Sequence, residues 1–262
     1  RDFKWTTDLT FTAYKDRWKE RTPDWKPGVY ERVDDPIRPI YARLADHILQ
    51  IGEEVPSAQP LLRPGELVIK DINGYQRDSN KQPVVDQNGR FVLTGEPDGM
   101  IDEADNVLLG SQDPAWLAGI TNTLRYKNFD LNIQFNGMFG RRMQDPTEMA
   151  YGLGGGDLAR YGYNALRKIK NRWTWDNPST TQPTSFNGWA NNYTSGDWYY
   201  QQAWFVRLTN ISLGWTLPRT WLSHTKVVSR VRLSLSANNL FCITPYKGID
   251  PETDYYAASY PN

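Results

Sequence analysis

The most regular pattern in the chain is an alternation of apolar and polar residues from position 129 to 136. The apolar positions are Phe129, Leu131, Ile133 and Phe135, and the polar positions are Asp130, Asn132, Gln134 and Asn136. Because successive side chains of a β-strand point to opposite faces, the pattern predicts a strand with one apolar and one polar face. A similar run over 115–126, broken by Asn122, precedes it, and only Lys127 and Asn128 separate the two. We therefore predict a long antiparallel hairpin. Each arm has about the 9–11 residues with which a tilted strand crosses a bilayer.

The same two-residue period predicts three more strands, near 3–14, 204–217 and 230–240. The segments 15–114 and 140–203 are long connections, whereas the other two connections are short. The segment 241–262 is a further loop. Long loops on one rim and short turns on the other are typical of outer-membrane barrels, in which the long loops are extracellular. We therefore expect all three long segments to be extracellular loops.

Two fold classes accommodate such strands. One is an all-β, antiparallel transmembrane β-barrel, and the other is a soluble, aromatic-rich carbohydrate-binding β-module. The strands lack a second apolar face, and the long loops are sorted to one rim. Both features favour the barrel.

Composition excludes several other classes of protein. The 262 residues include 30 basic and 30 acidic side chains, so no net charge favours nucleic acid. The single cysteine, Cys242, excludes an internal disulfide framework. No run approaches the roughly 18 consecutive apolar residues of a membrane helix, but transmembrane β-strands are apolar only at alternate positions. The chain begins within a predicted strand, so we expect Arg1 to be an internal position of a longer protein.

Several segments together carry a family resemblance. They are Lys70–Gly74 with Asp98–Gly110, Tyr126–Leu131, Arg172–Thr174, Val206–Pro218 and Ser236–Phe241. In this order they resemble the C-terminal part of SusC/RagA-type TonB-dependent outer-membrane transporters. The resemblance implies that 1–262 are C-terminal strands of a large, 22-stranded barrel. The plug domain, the TonB box, the upstream barrel and the last strand would then lie outside this sequence.

The resemblance also implies a function. We expect TonB-dependent import of nutrients, either oligosaccharides or peptides, across the outer membrane of a Gram-negative bacterium. A SusD-like surface lipoprotein would pair with the barrel, and TonB would act through the plug. Catalysis is not expected, since His47 and His224 are far apart and have no metal-type spacing. A nucleophile elbow is also missing.

An acidic segment is the first candidate site. Asp71, Asn73, Asp98, Asp102 and Asp105 match the family motif. Oxygen ligands at alternate positions, with a turn-forming glycine, suit Ca²⁺. Residues 75–97 split the motif, and their Asn88-Gly89 pair predicts a hairpin whose ends would have to meet. The alternative is that these residues cap the turns of a surface loop.

The aromatic segment 173–200 is the second candidate site. Its tryptophans Trp175, Trp189 and Trp198 lie among Asn, Gln and Asp residues. Flat aromatic faces next to hydrogen-bonding groups suit sugar rings, so we expect these three residues to contact a glycan. Alternatively, aromatics near a barrel rim form an interfacial girdle or pack the loop itself.

Overall fold

The computed structural model describes residues 2–20, 22–24, 31–32, 35–87, 90–152, 162, 164–184, 196–223 and 227–253. The chain divides into two units. The first, here called the sheet unit, comprises Arg1–Lys15, Asp113–Arg141 and Gln202–Tyr246. The second, the insertion unit, comprises Asp16–Gln112, Arg142–Gln201 and Lys247–Asn262. The long loops predicted from the sequence therefore contribute to one compact unit.

Strands are the main secondary structure of the described residues. In chain order they are β1 (Phe3–Ala13), β2 (Pro39–Ala42), β3 (Ala45–Ile48), β4 (Leu67–Ile69), β5 (Val107–Ser111), β6 (Trp116–Tyr126), β7 (Phe129–Phe139), β8 (Arg142–Gln144), β9 (Tyr200–Gln202), β10 (Phe205–Thr216) and β11 (Arg232–Ile243). The helices are α1 (Pro146–Tyr151), α2 (Arg219–Leu222) and 3-10 turns at Glu103–Asp105, Arg167–Asn171 and Asp197–Tyr199. Where the structure describes the chain, no helix is long and apolar enough to cross a membrane.

The sheet unit is a five-stranded antiparallel sheet in the order β1–β6–β7–β10–β11. Its strands occupy the regions where the two-residue period occurs in the sequence. The largest difference is at β11, which continues to Ile243, three residues past the expected end at 240. Asn239 has a positive φ of 53° and interrupts the alternation. Pairing resumes between Phe241 and Leu208, so the strand continues where its pattern breaks.

The strand register sorts the side chains of the sheet into two faces. The apolar face includes Trp5, Leu9, Phe11, Ile120, Leu124, Leu131, Ile133, Ile211, Leu213, Leu233 and Leu235. The polar face includes Lys4, Asp8, Thr121, Thr123, Asp130, Asn132, Gln134, Ser212, Arg232, Ser234 and Ser236. The apolar face is left uncovered: Leu235 is 75% exposed and Leu9 is 73% exposed. Such a large exposed apolar surface marks an interaction site with a membrane or a protein.

Aromatic rings line both rims of the apolar face. At one rim Phe11, Trp116, Phe139 and Trp204 form a row, with Trp116 stacked on Phe139 at a centroid distance of 3.8 Å. At the other rim Trp215 stacks on Phe129 at 5.9 Å and meets Trp221 edge-on at 5.7 Å. The rows are about ten residues apart along β6, which at about 3.3 Å per residue and a 45° tilt is roughly 23 Å. Outer-membrane barrels carry an apolar band of about 25 Å between two aromatic girdles.

Both long insertions leave the sheet at the same rim. Ala13, the last residue of β1, pairs with Trp116, the first residue of β6. Trp116 also pairs with Phe139, where β7 ends before the second insertion. At the opposite rim β6 and β7 are joined by the two-residue turn, in which Lys127 has a φ of 50°. The sheet therefore has the asymmetric rims that the loop lengths predict.

The insertion unit has its own hydrophobic core. Ile48, Leu67, Ile69, Trp173 and Tyr199 form a buried cluster. Among the described residues, the unit contains three two-stranded sheets, β2–β5, β3–β4 and β8–β9, together with α1 and the 3-10 turns. The segment 41–48, whose spacing is compatible with either helix or strand, contributes to β2 and β3. This core is assembled from segments that are far apart in the sequence.

A hairpin occupies residues 75–93, where the Asn-Gly signal predicts one. Antiparallel bridges join Tyr75 to Leu93 and Val85 to Phe91. The Asn88-Gly89 pair itself lies outside the described residues. The hairpin splits the acidic motif but also brings the two halves of the motif towards each other, because antiparallel pairing places its ends side by side.

Candidate functional site

The polar face of the sheet presents hydrogen-bonding groups across neighbouring strands. Asn132 donates its side-chain amide to Thr123 Oγ1 at 3.1 Å, which links β7 to β6. Asn210 donates to Asn238 Oδ1 at 2.8 Å, which links β10 to β11. Cross-strand pairs of this kind each contribute roughly 0.2–1 kcal/mol to a sheet. The face is polar, as the interior of an outer-membrane barrel is.

An ion pair spans three strands of this face. Arg232 of β11 donates Nη1 and Nη2 to the two carboxylate oxygens of Asp130 on β7, at 2.8 and 2.7 Å. The strand between them, β10, has Gly214 opposite Asp130. A Cβ at Gly214 would overlap both Arg232 and Asp130, so the missing side chain makes room for the bidentate contact. Arginine is the residue type that forms such planar, two-point contacts with a carboxylate.

The apolar face includes two polar residues that lie opposite each other, Thr7 on β1 and Asn122 on β6. Asn122 Oδ1 accepts hydrogen bonds from Trp5 Nε1 at 2.9 Å and from Thr7 Oγ1 at 2.7 Å. Both donors lie on β1, the neighbour of β6. Polar groups that face hydrocarbon need an internal partner because lipid offers none.

The acidic segment forms a network of turns around Asp105. This residue is fully buried, with 0% of its surface exposed. Its Oδ1 accepts the N–H groups of Ile72 and Asn73 at 2.9 and 3.2 Å, and its Oδ2 accepts that of Asp102 at 2.9 Å. Asp102 in turn accepts the N–H of Ala104 at 2.7 Å, completing a capping box.

The other three motif residues tie the two halves of the motif together. Asp71 accepts the N–H groups of Asp98 and Gly99 at 3.2 and 2.7 Å. Asn73 Oδ1 accepts the N–H of Gly95 at 2.8 Å. Asp98 accepts the N–H of Met100 at 3.0 Å. The five predicted residues are therefore brought into one network, and the ends of the hairpin meet.

The network has the chemistry of capped turns more than that of a cation site. Asp71, Asn73 and Asp105 each accept two or three backbone N–H groups, and Asp98 and Asp102 accept one each, as in capped turns. Within the described ranges, no group of three or more His, Cys, Asp or Glu side chains is placed to hold a metal ion. The negative charge of this segment affects the neighbouring Tyr75. Burial, followed by the charges of Asp102, Glu103, Asp105 and Asp98, raises the pKa of Tyr75. Calcium binding stays a prediction.

The candidate tryptophans have different environments. Trp175 is 68% exposed and meets Trp173 edge-on at a centroid distance of 5.4 Å. Trp198 is partly buried and packs against the cluster that contains Trp173. Trp189 lies outside the described residues. Of the described pair, Trp175 has the free ring face that a sugar would need, whereas Trp198 contributes to the core. Glycan contact by these residues stays a prediction.

The sequence marks Arg172–Thr174 as a segment of the family resemblance but does not indicate that Trp173 organises this region. It is 3% exposed, and its Nε1 donates to Gln50 Oε1 at 3.2 Å. Its backbone is also held in place, because Trp173 N–H donates to Gln182 C=O at 2.9 Å. Nothing in the local pattern distinguishes a buried tryptophan from an exposed one in an irregular loop, so only packing separates Trp173 from Trp175.

Comparison with known proteins gives relatives along almost the whole chain. No model of a known protein family matches it. TonB-dependent receptor P3 of Formosa agariphila is 29% identical over 266 residues, an alignment that covers 97% of this chain and 24% of the receptor. TonB-dependent receptor SusC of Bacteroides thetaiotaomicron is 27% identical over 184 residues, which cover 68% of this chain and 16% of SusC. This chain thus spans about a quarter or less of the length of these relatives.

Solved structures agree with this relationship. The RagAB peptide transporter superposes with a TM-score of 0.66 at 20% identity, over 96% of this chain and 25% of the matched chain. The RagAB peptide importer in the open-open state gives a TM-score of 0.61 at 19% identity, over 96% and 24%. These relatives are named as receptors and transporters, which is consistent with a protein that is not an enzyme. The predicted resemblance to SusC/RagA-type TonB-dependent receptors is therefore confirmed, and the chain has the fold of a segment of their antiparallel transmembrane β-barrel.

Proposed function

We propose that this chain is part of a TonB-dependent importer in the outer membrane of a Gram-negative bacterium. In this proposal the apolar face of the sheet contacts lipid, and the polar face lines the lumen. The edge strands β1 and β11 pair with further strands of the same barrel, since open sheet edges do not occur in hydrocarbon. The chain would supply C-terminal strands of a barrel whose plug lies elsewhere in the protein.

The exposed apolar face between two aromatic rows carries the proposal. A soluble sandwich would cover such a face with a second sheet, yet Trp5 is 63% exposed and Leu235 is 75% exposed. The rows stand roughly 23 Å apart after tilt, the separation at which interfacial aromatics flank a bilayer core. A face of this height and composition fits lipid.

The partner and the substrate classes in this proposal are taken from the relatives. SusC and RagAB are the relatives from which we infer a SusD-like surface lipoprotein as the partner of this barrel. The name of the RagAB transporter specifies peptides, and we include oligosaccharides as the alternative substrate class. TonB would supply energy through the plug. The long extracellular loops would contact the lipoprotein and the substrate.

Native outer membranes provide the test. We expect the protein that carries this sequence to be extracted by detergent, to migrate faster on a gel before boiling than after it, and to co-purify with a surface lipoprotein. Deleting tonB should abolish uptake of its substrate without changing the amount of barrel. A soluble species that stays folded without detergent would contradict the proposal and would support the carbohydrate-binding module instead.

A further inference from the structure

The insertion unit contains a cavity of about 740 Å³. Strands β2 and β5 contribute one side of it, where Tyr41 pairs with Leu108. The hairpin contributes another side, where Asp86 N–H donates to Arg90 C=O at 2.7 Å. The cavity is therefore bounded by paired backbone segments. Its volume is within the roughly 300–1,000 Å³ typical of small-molecule sites.

Two of the carboxylates that line the cavity already have protein donors. Asp35 is 5% exposed, and its Oδ2 accepts the backbone N–H of Arg32 at 2.5 Å and the hydroxyl of Tyr41. Burial, followed by the hydrogen bond to Asp35, raises the pKa of Tyr41, so this hydroxyl stays protonated and committed. Asp86 Oδ1 accepts the backbone N–H of Arg90 at 2.9 Å. These acids shape the cavity by holding its backbone.

Two of the three arginines that line the cavity are in the opposite situation, whereas the third, Arg17, donates Nη1 to Asp16 C=O at 3.0 Å. Arg32 and Arg90 both line it, and neither guanidinium is bonded to another residue that the structure describes. A guanidinium presents five N–H donors in a planar fork that matches the two oxygens of a carboxylate. Phe91, next to Arg90, lines the same cavity and is 39% exposed. The lining thus places the guanidinium groups of Arg32 and Arg90 in the same cavity as the aromatic ring of Phe91.

We propose that this cavity binds a carboxylate-bearing ligand, held by Arg32 and Arg90 with its apolar part against Phe91. The proposal deepens the import function on which it rests, because it assigns an acidic group to the imported substrate. The carboxylate could belong to a uronic-acid oligosaccharide or to an acidic peptide. Both sources present the same anion to the arginines.

The test uses the whole protein, purified from outer membranes in detergent, and titration calorimetry. The probes are digalacturonate and the tripeptide Asp-Gly-Asp, each with a neutral counterpart, the methyl ester and the amide. We expect at least one acidic probe to bind at least tenfold more tightly than its counterpart. Arg32→Ala and Arg90→Ala should each weaken that binding about tenfold or more, and Arg90→Lys should weaken it less.

Arg77→Ala is the matched control, because Arg77 lies on the same hairpin and outside the cavity lining, and its Nη1 donates to Lys81 C=O at 3.2 Å. It should leave the affinity unchanged. Retention of the unboiled gel mobility shows that each variant is folded. Equal affinity for acidic and neutral probes, or unchanged affinity in both folded arginine-to-alanine variants, would overturn the site.

The two proposals fail separately. A barrel that imports a substrate through TonB but binds neither acidic probe leaves the import function standing and removes the site. Arginine-dependent binding by a protein whose substrate uptake survives deletion of tonB does the reverse. Preference for digalacturonate over the tripeptide, or the opposite preference, identifies the source of the carboxylate.

Discussion

At the scale of single residues, Asn122 shows how an apolar face tolerates a polar group. Its side-chain oxygen accepts two donors from β1, so the Trp5 indole N–H and the Thr7 hydroxyl do not have to find an acceptor in lipid. The three residues form a hydrogen-bonded group inside an apolar surface.

Replacing Asn122 should therefore lower the free energy of unfolding by more than the two hydrogen bonds themselves contribute. Asn122→Leu leaves Trp5 Nε1–H and Thr7 Oγ1–H without an acceptor, and we expect a loss of about 2 kcal/mol in the free energy of unfolding. The same change in a Trp5→Phe, Thr7→Val background should be nearly neutral, because no donor is stranded. Urea unfolding of the barrel in vesicles measures both values. Equal losses in the two backgrounds would contradict this account.

His47 is a second residue with a testable environment. Its Nδ1 lies 3.0 Å from Asp46 and its Nε2 lies 2.6 Å from Glu53. Partial burial opposes the imidazolium charge, but the hydrogen bonds to the two carboxylates outweigh it and raise the pKa of His47. The bond from His47 lowers the pKa of Asp46. The Gln50 N–H, followed by His47, lowers the pKa of Glu53.

The sign of each shift defines a pH window. The His47 contribution to stability is fully present below its unfolded pKa of about 6.5 and is lost as pH rises through the raised folded value. The carboxylate contributions are present above about 4.5 and are lost at lower pH. The difference in melting temperature between wild type and His47→Gln should be largest from about pH 4.5 to 6.5. Lys70→Gln also removes a charge near Asp46. The difference in melting temperature between wild type and this variant should not decrease between pH 6.5 and 8.

At the scale of elements, Asp105 joins the two halves of the acidic segment. Asp105→Asn would place an amide N–H₂ opposite one of the three backbone N–H groups that the carboxylate now accepts. We expect a loss of about 1–3 kcal/mol in the stability of the insertion unit, measured by urea unfolding and limited proteolysis. Glu103→Gln, an equal charge change at an exposed position of the same turn, should have little effect.

The same experiment separates capped turns from a calcium site. If the segment consists of capped turns, the stability of wild type should be the same with Ca²⁺ as with chelator. The stability of Asp105→Asn should likewise not depend on Ca²⁺. A calcium-dependent increase in wild-type stability that Asp105→Asn abolishes would establish the calcium hypothesis.

The elements also show what a sequence pattern can and cannot predict. Alternation is a local property, so the strands and the two faces follow from residues such as Ile133 and Gln134 and their neighbours. Register between distant strands is not local, and nothing near Asn122 indicates that Trp5 will be its partner. The insertion core is harder still, since Ile48, Leu67 and Trp173 meet only through tertiary packing.

The candidate site follows the same division. That the ends of the 75–93 hairpin must meet is foreseeable from antiparallel pairing. Whether the acidic oxygens face a cation or backbone N–H groups depends on turn geometry, which residue type alone does not determine. Arg32 and Arg90 carry no sequence signal, because they lie in irregular segments that only the folded unit brings to one cavity.

At the scale of the whole molecule, the assignment of the two faces predicts opposite outcomes for adjacent residues. Ile211 lies on the apolar face opposite Ile133, and Ser212 lies on the polar face opposite Asn132. An arginine in the middle of a lipid-facing band costs about 2–4 kcal/mol. Ile211→Arg should therefore reduce the folded barrel in outer membranes, whereas Ser212→Arg should not. The fraction that keeps its unboiled gel mobility measures both, and equal reduction would contradict the assigned faces.

The unequal connections also have a consequence for the order of assembly. Strands β6 and β7 are separated by two residues and can pair as soon as both exist, whereas β1 and β6 are separated by about a hundred. The entropic cost of closing a loop grows as (3/2)RT ln n, which makes the distant pairing costlier by about 3.5 kcal/mol when the intervening chain is unfolded. A folded insertion removes most of that cost if it holds its ends together, as the Tyr14 N–H to Ala115 C=O bond of 3.2 Å holds them in the final state. We therefore expect the central hairpin to form early and β1 to join only after the insertion has folded.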